Sequence, residues 1–132
     1  MTKLTDSADR QSTALQAATL VLLMLTGVML LALMTRTAPH PPFEVAPFAL
    51  GPFLGASLAI GAAAFHLERS GTLAGLALAV LFAITALVSF GPQKYFDPGF
   101  SRIWPAVITA QGAIIVILAC ALLAVKERGR RS

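Results

Sequence analysis

Few side chains in this sequence can do chemistry, and most of those stand at the ends of apolar stretches. The two histidines are His40, in a proline-rich segment, and His66, near the end of an apolar run. A haem or metal held between helices needs ligands facing one another inside the bundle. This pair does not supply them, so no metal ligand and no cofactor of the chain's own is expected; a pigment, haem or quinone shared with a partner stays open. Lys94, Asp97 and Arg102, with Glu44 and His40, form a charged set in two connecting segments. Exposed ion pairs of this kind are common and weak, and they are not read as an active site. The patterns G-x-S-x-G, H-E-x-x-H, C-x-x-C and G-x-x-x-x-G-K-[ST] are all missing, so no nucleophile, zinc or phosphate chemistry is indicated and a non-enzymatic role is expected.

The deepest strongly polar side chain is Gln111, accompanied by Thr109, with Thr26, Ser57, Thr85 and Ser89 in other apolar runs. A buried amide in lipid must find a partner, so Gln111 is read as interhelical glue, with a ligand or pore contact as the alternative. No ionisable residue falls inside an apolar run, where it would mark a transport path. Cys120 also lies within such a run and is expected to behave as a small apolar side chain.

These residues are positioned by four apolar runs: 14–34, 48–65, 72–90 and 104–125. Hydrophobic residues make up 57% of the 132 residues and charged ones 12%, against about 25% charged in soluble domains. Each run is near the length of about 20 residues that crosses a bilayer core as a helix, and none alternates as a membrane barrel strand would. The expected fold is an all-α integral membrane protein, four transmembrane helices in an antiparallel bundle. Residues 1–13 form a short tail before it and 126–132 a basic tail after it. The first run is longer than a signal-peptide core and lacks a cleavage pattern, so it is read as a retained helix.

Orientation follows from basic residues. Lys3, Arg10, Arg69, Lys126, Arg128, Arg130 and Arg131 lie on one side, and Arg36, Lys94 and Arg102 on the other. The richer side is cytosolic by the positive-inside rule, which puts both termini on the cytosolic side of a multi-pass protein of the cell inner membrane. The net charge of +4 is thereby accounted for by membrane anchoring, and no nucleic-acid surface is indicated.

Small residues concentrate in the second run. Gly51 and Gly55 have GxxxG spacing, Gly61 follows, and Gly71 and Gly75 repeat the spacing at the third run. Such faces let helix backbones approach closely in lipid. Packing within the bundle and packing between subunits both satisfy that logic. Pro52 leaves two starts for the second helix, Phe48 or Pro52 itself; the latter leaves only about 14 residues, or roughly 21 Å. The polar stretch His66 to Gly71 reads as a tight turn.

Eight of ten aromatic residues fall toward the outer side, among them Phe43, Tyr95, Phe96, Phe100 and Trp104. A one-sided cluster departs from a belt at both interfaces, and it serves either lipid anchoring or a partner. Asp97-Pro98-Gly99 signals a turn, Ser101 is placed to cap the fourth helix, and Pro105 is expected in its first turn.

Known small four-helix families do not account for the chain. Small multidrug exporters depend on a carboxylate in the first helix, where this one has Gln16, Thr19 and Thr26. The glutathione-linked membrane enzymes carry a polar Glu and Asn motif without counterpart here. The small membrane subunit of tripartite tricarboxylate transporters is similar in its four spans and its Gly/Pro/Phe-rich entry to helix two, Pro47 to Gly55, but joins its last helices tightly where this chain has the long segment 91–103. No family is identified. The expected function is that of an accessory subunit or assembly factor in a larger energy-converting or transport complex. Its partners would be other integral membrane subunits and lipid, with a homo-oligomer open. The alternative is a small oligomeric transporter component or channel lined by Gln, Thr and Ser.

Overall fold

The computed structural model describes residues 2–38 and 47–130, with the side chains of 6–38 and 48–130. These residues form four helices, α1 Thr2–Thr35, α2 Pro47–Glu68, α3 Leu73–Phe90 and α4 Phe100–Gly129, with a short 3-10 turn at Pro92–Phe96. All four helices are long and apolar enough to cross a membrane.

Helices α1, α2 and α4 outrun the apolar stretches that define them. α1, with 34 residues, is about 51 Å long at 1.5 Å per residue, against a hydrocarbon core of about 30 Å. The polar residues read as an N-terminal tail continue its first turns, where Arg10 pairs with Asp6 at 2.9 Å. Its far end closes with Arg36 at φ 52 and with Thr37 N donating to the Ala32 carbonyl at 3.1 Å, the left-handed cap usually given to glycine. α2 starts at Pro47, so its 22 residues reach about 33 Å. Pro52 sits inside it and leaves the Phe48 carbonyl without its usual donor.

The turn from α2 to α3 is tight. Gly71, at φ +63, is needed for the turn itself rather than for helix packing, and Thr72 caps α3 by accepting from Gly75 N at 3.1 Å. A Cβ on Gly75 would come within 2.7 Å of the Leu67 and Glu68 backbone, so the two helices can approach this closely only with glycine there.

α4 begins earlier than its capping signals suggest. Gly99 is its N-cap, with no side-chain cap bond; Ser101 lies exposed inside the first turn, and Pro105 is the sixth helical residue. The Asp97 side chain explains the shift. Its Oδ1 accepts from Gly99 N at 2.8 Å and its carbonyl accepts from Phe100 N at 2.9 Å, which starts the helical path before Ser101 can cap it.

α1 packs against α2 and α4, and α3 packs against the same two, with only slight contact between α1 and α3. The core is rich in small side chains, including Ala18, Ala64, Ala79, Ala83, Ala86, Ala110 and Ala113, set around the fully buried Phe82. Its closest approach is at Gly61, where a Cβ would stand 2.6 Å from Phe82 Cε1 and 2.8 Å from Leu23 Cδ2.

Candidate functional site

The heptad-like series Leu54, Ser57, Gly61, Ala64 and Glu68 forms the buried face of α2. Residues at these spacings share one helix face, so the register that buries Gly61 against Phe82 also carries Glu68 inward. Glu68, read from the sequence as part of a polar turn, is the last residue of α2 and is 5% exposed. His66, Arg69 and Ser70 around it are exposed.

The carboxyl of Glu68 meets α1. Thr19 Oγ1, itself fully buried, donates to Glu68 Oε1 at 2.7 Å. Glu68 Oε2 is buried without a hydrogen-bond partner among the described residues. A buried acceptor left in that state is costly, and a buried ionisable side chain beside a cleft is a candidate functional residue. The reading of Glu68 as part of the exposed turn is corrected by the register of α2, which runs through Glu68 and buries it.

Around Glu68 opens a cleft of about 290 Å³, lined by α1 (Gln11 and Ser12), by Thr72 at the start of α3 and by α4 (Glu127 and Arg128). Gln11 also fastens α1 to α4 by donating to the Cys120 carbonyl at 2.9 Å. The Cys120 side chain is buried and contacts the Gln11 carbonyl oxygen at 3.8 Å.

The other sequence candidates separate from this cleft. Gln111 accepts from Tyr95 Oη at 2.6 Å and donates to the Phe90 carbonyl at 3.1 Å. Its oxygen and nitrogen are both engaged in fastening the 3-10 turn to α3 and α4. The turn is ordered further by the Lys94–Asp97 pair at 3.5 Å, by Gln93 Nε2 donating to the Leu87 and Val88 carbonyls and by Tyr95 against Phe100 with ring centroids 5.1 Å apart. Phe96, 90% exposed, and the half-exposed Trp104 project from this end. Phe43 lies outside the described residues, as do His40 and Glu44.

The glycine positions also divide. Gly61 and Gly75 lie at close contacts, whereas among the described residues a Cβ on Gly55 meets nothing within 4 Å and one on Gly51 meets only the Met34 methyl at 3.4 Å. The GxxxG pair is therefore not the tight seam within this chain. Thr26 and Ser57 are buried with hydroxyls lacking a partner among the described residues, and no group of three metal-binding side chains occurs among those residues. Comparison with family models, with characterised proteins and with solved structures finds no match to this chain.

Proposed function

We propose that this chain is a non-catalytic accessory subunit or assembly factor of a larger energy-converting or transport complex in a bacterial inner membrane. In this reading its helices run antiparallel, its termini are cytosolic, and a partner's transmembrane helix seats on the outward face of α2. The observation that carries it is a difference between helices. α1, α3 and α4 expose large apolar side chains such as Met24, Leu31, Ile84, Val88, Ile115 and Leu122. α2 exposes Pro52, Ala56, Ala59, Ala62 and Ala63, and among its described side chains Phe48 is the large apolar one left open. Lipid tails gain nothing from small side chains, whereas a second helix gains close backbone approach and van der Waals contact. The exposed aromatics Phe48, Tyr95, Phe96 and Trp104 offer further contact area to subunits of the complex, since such rings commonly anchor interfaces.

Purification from native membranes in mild detergent tests this. A stoichiometric heterologous membrane subunit is expected with the wild-type chain and its loss with Ala59→Leu. A pure homo-oligomer would refute the accessory-subunit reading. It would favour the second one, a small oligomeric transporter component, which rests on the buried carboxyl of Glu68 rather than on Gln111.

A further inference from the structure

We propose that the cleft at Glu68 binds phosphoethanolamine, with its primary ammonium on the Glu68 carboxyl and its phosphate on Arg128. The position of the cleft fits a headgroup. Glu68 ends α2, Gln11 and Ser12 precede the apolar run of α1, and Glu127 and Arg128 follow that of α4. All of them thus stand at one level, at the edge of the hydrocarbon, where lipid headgroups lie.

The donor requirement comes from Glu68. Thr19 holds one carboxyl oxygen, and the other has no donor among the described residues. Glu68 lines the cleft, and the terminal torsion of a glutamate side chain is soft and roughly two-fold, so on binding the carboxyl turns its unheld oxygen toward the ammonium. A primary ammonium supplies three N–H donors and a compensating charge. A quaternary choline supplies charge without a donor and leaves the acceptor unsatisfied. Glu127 adds a second carboxylate to the lining and Arg128 a guanidinium, and among the described residues neither has an ion-pair partner. A guanidinium matches a phosphate group in geometry and charge. The volume of about 290 Å³ sits at the small end of ligand pockets, which suits a headgroup with its tails outside.

The test uses the full chain in detergent, titrated with ethanolamine and choline phospholipids of identical tails, with bound lipid counted by native mass spectrometry. The wild type is expected to hold the ethanolamine lipid about ten-fold more tightly, the discrimination of one charge-assisted hydrogen bond. Glu68→Gln should erase that preference while circular dichroism shows unchanged helix content. Arg128→Gln should weaken both lipids alike. Displacement of the lipid by soluble phosphoethanolamine would identify a free metabolite as the occupant, and failure to displace would identify the lipid; both uphold the site's chemistry. Equal affinity of the wild type for the two headgroups would overturn the proposal without need of a variant, as would a preference that survives Glu68→Gln.

Discussion

Two glycines of one helix should respond to the same substitution with opposite signs. Replacing glycine by alanine within a helix gains about 1 kcal/mol of backbone propensity where there is room for the methyl group. At Gly55 there is room, since beyond its own helix backbone no atom of the described residues lies within 4 Å of the added Cβ. At Gly61 the methyl would stand 2.6 and 2.7 Å from two atoms of the Phe82 ring and 2.8 Å from a Leu23 methyl. Leu23 can turn, but Phe82 is fully buried and cannot leave without opening the core. Overpacking of a filled site costs about 1–3 kcal/mol, which exceeds the propensity gain over most of that range. Gly61→Ala should therefore destabilise the purified protein by up to about 2 kcal/mol, and Gly55→Ala should stabilise it by up to about 1 kcal/mol. Unfolding by a denaturing detergent, followed by circular dichroism, reads both. Phe82→Leu combined with Gly61→Ala should recover part of the loss, with a coupling of about 0.5–3 kcal/mol. A stabilising Gly61→Ala would refute the close α1–α2–α3 contact and, with it, the register that buries Glu68.

The remaining expectations follow from single contacts. Thr19→Val removes the donor to Glu68 Oε1 and leaves both carboxyl oxygens unsatisfied, so it should cost about 1–3 kcal/mol in the same unfolding assay, whereas Glu68→Gln, which keeps an acceptor and adds a donor, should cost less. Gln111→Leu should release the 3-10 turn, seen as faster amide exchange across 92–99, with a global loss of about 1 kcal/mol or less; Tyr95→Phe should reproduce the exchange change, since both break the 2.6 Å bond. Cysteine introduced at Ser7 should be shielded from membrane-impermeant reagents in intact cells and cysteine at Gln93 labelled, as the seven-to-three basic bias requires; the reverse pattern would invert the orientation. Trp104→Ala, at an exposed anchor, should weaken the partner by about 30-fold without loss of insertion.

What the sequence made legible and what it hid divide along a physical line. Continuous apolar length reports whether a segment can cross a bilayer, so the four membrane-length helices are readable, and Gly71 is marked both as the end of a polar turn and, by its spacing, for packing, of which the structure shows the turn. Length alone does not report where a helix stops. Hydrogen bonding propagates a helix through polar residues such as Asp6 and Arg10, and the Asp97 turn starts α4 ahead of Ser101. Charge invites a residue to be placed in water, and His66, Arg69 and Ser70 made Glu68 look like a member of their turn. The signal that places it elsewhere is periodic: 54, 57, 61, 64 and 68 advance by three and four, so the face that holds Gly61 and Ala64 must also hold Glu68 as long as the helix continues. The complementary series, 52, 56, 59 and 63, is the outward stripe of α2. Both faces of α2 are rich in small residues, so hydrophobicity could not tell inside from outside. Contact with Leu23 and Phe82 decides it, because the glycine with no room for a methyl group marks the inner seam and the glycine with open space among the described residues lies off it.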